Sequence, residues 1–194
     1  MATPVIDPTK ILNDPGILYY APLGTSEPSM TVASSIFSTA AWGGLWVALG
    51  PTDEGTEFND KVDTDDMTVE ESAYPVKTVV TKKEATISFS LVEFTATQMK
   101  RAANGGSNLV TGSGSTTLTT FTPPAVGQEV RAMIGWQSQQ DDVRFIGYQA
   151  LQIGTIKPRF RRGVAKSVFE CNWKFELSSL GYPYRFFFAG TTRA

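Results

Sequence analysis

Between Asp53 and Glu71 the chain concentrates nearly half of its 19 acidic residues: Asp53, Glu54, Glu57, Asp60, Asp63, Asp65, Asp66, Glu70 and Glu71, against Lys61 alone. Clustered carboxylates suit two chemistries, calcium binding and paired-acid glycoside hydrolysis. A calcium loop starting at Asp63 lacks the glycine needed at its sixth position, and Tyr74 stands where a bidentate acid should close the site. Glycoside hydrolysis needs two carboxyls in a pocket that sets their acidities apart, and no acid here is marked out from its neighbours. The stretch therefore reads as a solvated loop and hairpin able to meet a partner.

The other chemical candidates fare no better. The Gly/Ser-rich run 104–115, NGGSNLVTGSGS, contains neither GxxxxGK[ST] nor GxGxxG, so it reads as a flexible connection rather than a phosphate cradle. Lys157, Arg159, Arg161, Arg162 and Lys166 crowd one turn, but only Phe160 interleaves with them. A chain with a formal charge of -2 and a pI near 5.2 lacks the basic excess that phosphate binding demands. With no histidine, every imidazole base and His-based zinc site is absent. Cys171 is the one cysteine; alternating with Phe169 and Trp173, it reads as a buried, inert thiol. No catalytic, cofactor or metal residues are expected.

The elements that would carry any site are mostly strands. In 86–91, Ile87, Phe89 and Leu91 alternate with Thr86, Ser88 and Ser90, giving one greasy face and one small hydroxylated face. Residues 17–21 and 46–49 predict short strands, and Val76, Val79 and Val80 begin another after the Tyr74-Pro75 corner. Lys82-Lys83-Glu84 reads as a polar turn or a charged strand edge. Thr95 caps a short helix over 96–103 with Met99 towards the sheet, stopped by Gly105-Gly106. Residues 130–137 and 143–151 predict a hairpin, 152–160 a further strand, and 167–177 a last one. On that strand Glu170, Asn172, Lys174 and Glu176 share the polar face. The run Phe186-Phe187-Phe188 is too apolar for a free end and should pack on its own domain or a neighbour.

The 194 residues, 41% hydrophobic and 19% charged, suit a single domain. The expected class is mainly β, a sandwich or barrel with one short flanking helix and extended arms at 1–15 and 183–194. The amino end, MATPVIDPTK, has no basic-then-apolar leader and no run approaches a membrane span. The expectation is therefore a protein made and kept in a cytoplasm or released by lysis, with no membrane insertion.

The order LGPTDEGTEF (49–58), then VDTDDMTVEESAYPVKTVVTKKEATISFSLVEFTATQMKRAANGG (62–106), resembles the major tail tube proteins of long-tailed bacteriophages, nearest to those of phages with actinobacterial hosts. The resemblance implies a tail tube fold and a structural subunit without enzymatic activity. Such subunits form hexameric rings stacked into a helical tube, through whose lumen the genome passes without specific binding. It further implies tape measure and terminator or tip proteins as partners, assembly in the host cytoplasm and residence in the virion tail. Lumen-facing candidates are then Thr86, Ser88 and Ser90 or, alternatively, Glu170, Asn172, Lys174 and Glu176. Contacts between rings would join Asp53, Glu54, Glu57, Asp60, Asp63, Asp65 and Asp66 to Lys157, Arg159, Arg161, Arg162 and Lys166, on their opposite charge. Two alternatives share the sequence evidence: the tube of a related contractile injection or secretion system, and a monomeric β-sandwich binding module or glycan-acting enzyme.

Overall fold

The computed structural model describes residues 15–29, 32–33, 36–37, 42–139, 143–159 and 167–188. In chain order these form β1 (Gly16–Pro22), β2 (Val32–Ala33), β3 (Ile36–Phe37), β4 (Val47–Ala48), β5 (Thr52–Met67), β6 (Lys77–Leu91), α1 (Ala96–Ala102), β7 (Ser107–Thr111), β8 (Leu118–Thr122), β9 (Ala132–Ser138), β10 (Val143–Gln152), β11 (Lys157–Arg159), β12 (Val168–Phe175) and β13 (Tyr184–Phe188). The main sheet runs β4-β1-β9-β10-β12-β6-β5, with β11 added to β12 and β13 to β10. Every described pairing is antiparallel. The mainly-β, one-helix class expected from the alternating patterns is the one the chain adopts.

The sheet folds over itself, and period-two alternation explains how. Leu18, Ile134 and Phe145 from its first half meet Ile87, Phe89, Cys171, Trp173 and Phe175 from its second in one core. The intervening residues Tyr19, Met133 and Ile146 point the other way into a smaller cluster, roofed by Trp42 and Trp46. β1, β9 and β10 are therefore buried on both faces. Gly135 makes room for that roof: a Cβ there would stand 2.3 Å from the Trp42 ring. The Trp42 indole donates to the Gln137 side-chain oxygen at 2.5 Å, and fully buried Arg144 donates to the same oxygen at 2.7 Å and to the Ser29 carbonyl at 2.9 Å. Burial lowers the Arg144 pKa to about 10, so the guanidinium stays charged at neutral pH.

Several local expectations are corrected. The acidic stretch is not a loop: β5 continues through it for 16 residues. Of the two readings of Lys82-Lys83-Glu84, the turn is overturned and the charged strand edge stands: the three lie in β6 with β5 on one side only, where Lys61 opposite Glu84 and Asp63 opposite Lys82 alternate the charges in sign across the ladder and favour pairing. The run 104–115 is not an unstructured connection: Ser107–Thr111 pairs with Leu118–Thr122. Asn104, at φ 56, rather than a glycine terminates α1, with Gly105 N–H bonded to Lys100 C=O at 2.9 Å and Asn104 N–H to Arg101 C=O at 3.1 Å. On that helix Gln98 and Ala102 are buried, and Gln98 donates to the Leu49 carbonyl at 2.7 Å, a polar use that apolar spacing does not announce. The strand expected over 152–160 breaks at Gly154, φ 77, leaving β11 short. The last strand, expected over 167–177, ends at Phe175, so Leu177 lies beyond β12 and is exposed.

Of the expected arms, 1–14 and 189–194 lie outside the described residues. Tyr184–Phe188 pairs with Val143–Gly147 of β10. Phe186 packs against Phe58 and Phe145, whereas Phe188 remains exposed.

Candidate assembly surfaces

The two alternative lumen candidates turn out to be one surface. β12 lies beside β6 in a register that sets Glu170 opposite Ser90, Asn172 opposite Ser88 and Lys174 opposite Thr86. On the other side of β6, β5 sets Asp53 opposite Ser90, Glu57 opposite Ser88 and Asn59 opposite Thr86. Because their neighbours Ile87, Phe89 and Leu91 are all buried in the main core, these side chains share the outward face of a three-stranded patch. α1 does not cover it: its buried Ala102 belongs to the core on the opposite side of the sheet. An open depression of about 400 Å³ between Asp53, Glu57, Ser88, Ser90, Glu170 and Asn172 gives the patch a concave floor.

The hydroxyl stripe is one strand wide, and charged neighbours border it. Most of those charges are paired on the spot: Lys61 with Asp63 at 2.9 Å, Lys82 with Glu84 at 2.6 Å, Lys174 with the same Glu84 oxygen at 3.1 Å and Arg159 with Glu170 at 2.6 Å. Bonds from Lys82 first, and then Lys174, hold the Glu84 carboxyl down to about 2. Just beyond β12, Glu176 accepts from Arg131 at 3.1 Å and Gln149 at 2.8 Å, and the Arg131 bond lowers its pKa. Reading each strand alone missed the Glu84 and Arg131 pairs, since neither is visible without the register between strands.

The acidic cluster is divided rather than shared. Asp53 and Glu57 join the concave face, whereas Asp60 turns to the core side and accepts from the Tyr184 hydroxyl at 2.5 Å; burial first, and then that bond, raise the phenol to about 12. Asp65 and Asp66 lie further out, opposite Val79 and Thr78. Glu54 sits at a β5 bulge and Lys157 in β11, with their side chains outside what is described; Arg161, Arg162 and Lys166 lie outside the described residues altogether. Cys171 is buried, as expected, and burial pushes its thiol up to about 12. Among the described residues no group of three acids or cysteines could hold a metal ion, and no helix is long and apolar enough to cross a membrane.

Beyond Asp60 and Ala85 the β5–β6 hairpin leaves the body. Residues 77–83 of β6 are exposed one after another, where a packed strand would alternate. At about 3.3 Å per residue, Lys61 to Met67 alone reach roughly 20 Å. This arm exposes Val62, Met67, Val69, Tyr74, Val76 and Val80, with Tyr74 79% accessible. Apolar side chains in such density on a projecting hairpin mark a surface made to be covered. The sequence signal was the valine pairing of 76–80 next to uninterrupted charge.

A family model described as phage tail tube protein matches residues 9–151, which include the arm and two of the three strands of the concave face, β5 and β6. No curated protein matches the chain. With the family match running over most of its length, the chain belongs to the phage tail tube protein family, a structural element of the virion tail.

Proposed function

We propose that the chain is the major tail tube subunit of a long-tailed phage, nearest to those of actinobacterial hosts. In this reading it assembles in the host cytoplasm into stacked hexameric rings around a lumen. The observation that carries this reading is the merging of Ser88, Ser90, Asn172 and Glu170 into one concave polar face, turned away from the helix. A wall for a passing genome needs small, hydrated side chains and no pocket that closes on a base or phosphate. The tape measure protein occupies the same lumen before the genome, and terminator and tip proteins cap the ends. β5 is the outer strand of its sheet along 16 residues, and closing such edges between neighbours in a ring would remove them from solvent. Head-to-tail stacking then extends the ring into a filament.

Contacts between rings are assigned to the outer arm, with Asp65 and Asp66, meeting the basic segment 157–166 of a neighbour, since Asp63 is already paired with Lys61. Arg159 is already paired with Glu170 in its own subunit, so the assignment rests on the other basic residues of the segment, Lys157, Arg161, Arg162 and Lys166, as the sequence supplies them. Negative-stain micrographs of the purified protein are expected to show rings or tubes with an axial hole. A protein that stays monomeric by light scattering at high concentration, and binds a small ligand saturably, would overturn the assignment. In the same micrographs, reversing Arg159, Arg161 and Arg162 to Glu shortens or abolishes tubes; unchanged tube length removes the basic turn from the interface.

A further inference from the structure

We propose that the carboxylates of the β5–β6–β12 face act as fixed counterions, covering Lys61, Lys82, Lys174 and Arg159 so that a sliding polyanion cannot grip them. This rests on the lumen reading. Adhesion to DNA is driven by free cationic side chains that displace condensed counterions from phosphates. On this face Lys61, Lys82, Lys174 and Arg159 each have a carboxylate within 2.6 to 3.1 Å, supplied by the same sheet. Lys83 lies on the opposite face, opposite Val62, and Lys77 at the far end of the arm. Glu84 is the pivotal residue, since its one oxygen faces two ammonium groups contributed by adjacent strands.

Stability is a poor explanation for these pairs. Their side chains are 24% to 57% exposed in the Glu84 triad, and ion pairs exposed to that degree contribute little to folding. Their effect falls instead on the field above the sheet. Loss of Glu84 leaves the Lys82 and Lys174 ammonium groups, which converge on its one oxygen from 2.6 and 3.1 Å, close enough together for both to reach one phosphate. The carboxyl is held ionised far below neutral pH, so the cover does not lapse under ordinary conditions.

The test compares Glu84→Gln with Glu71→Gln, which makes the same change in net charge at the exposed arm tip. Freshly purified subunits, kept below the concentration at which light scattering detects tubes, are titrated with a labelled duplex oligonucleotide. Glu84→Gln is expected to bind several-fold more tightly than Glu71→Gln at low salt, with the slope of log K against log salt steeper by about 1 to 2, at about 0.9 per phosphate neutralised. Glu170→Gln, which uncovers Arg159 alone, gives a smaller gain in the same direction. Equal binding by all three overturns the counterion role. Assembled tubes separate this from the lumen reading, because closed circular DNA cannot thread a bore. Glu84→Gln tubes that bind circular DNA no better than wild type support both ideas. Tubes that gain circular-DNA binding in proportion to subunit number keep the counterion role and overturn the lumen assignment.

Discussion

Replacing Gly147 with alanine destabilises the subunit by about 1 to 3 kcal/mol, the range for forcing an extra carbon into a packed core. A Cβ built on Gly147 lies 1.9 Å from the Cε1 and 2.6 Å from the Cδ1 of Phe175, inside any permissible contact. The ring has nowhere to retreat: it packs against Phe145 at 5.4 Å and Phe58 and Tyr184 at 6.4 Å, centroid to centroid. Gly147 also pairs with Ile134 on one side and Tyr184 on the other, so the backbone cannot step away without opening two ladders. The alanine lowers the entropy of the unfolded chain, which offsets only about 0.4 to 1 kcal/mol. Urea unfolding checks this, with Gly43→Ala as the control, since a Cβ at Gly43 meets nothing within 4 Å. Equal midpoints for the two variants would show that the β10–β12 core is looser than the contact implies.

The second large effect is on assembly and leaves folding intact. Replacing residues 64–81 by Asn-Gly closes the hairpin on the Asp63–Lys82 pair with a two-residue turn of the kind that antiparallel strands favour. The deleted segment contributes nothing to either buried cluster. Its removal should therefore change unfolding free energy by less than about 1 kcal/mol, the scale of exposed substitutions. Tube formation should be lost, because the exposed Met67, Val69, Tyr74, Val76 and Val80 go with it. Sedimentation of assembled material, set beside circular dichroism of the soluble fraction, reads both quantities. A shortened protein that still forms tubes of normal length would remove the arm from the subunit interface; one that unfolds would show that the arm supports the body.

What sequence alone disclosed follows from the range of the forces involved. Alternation in 86–91 and 168–175 placed Ile87, Phe89, Phe169, Cys171 and Trp173 in the core correctly, because burial of one strand face is written along a single strand. The β9–β10 hairpin was legible for the same reason. The 52–67 strand was not: acidic residues disfavour strands when counted one at a time. Lys82 and Glu84, twenty residues further on, supply the opposing charges that make pairing favourable. The helix end was legible to within a residue, but its stop is Asn104 rather than the two glycines: Asn104 accepts the left-handed conformation and bonds to the Gln152 backbone at 2.8 Å and 2.7 Å. The candidate face was found in halves, as two rival strands, since adjacency in a sheet is a long-range fact that neither strand contains.

The lumen assignment is tested most directly by a single cysteine at Ser88, in a chain whose natural Cys171 is buried and too weakly acidic to react. Two maleimides are applied to free subunits and to assembled tubes, one small and one carrying a polymer wider than the bore. Both reagents should label free Ser88→Cys, and in tubes only the small one should. Tubes labelled by the bulky reagent as fast as free subunits would place the Thr86–Ser90 stripe outside, and tubes refused by both reagents would bury it between subunits; either result contradicts a lumen wall built from β5, β6 and β12.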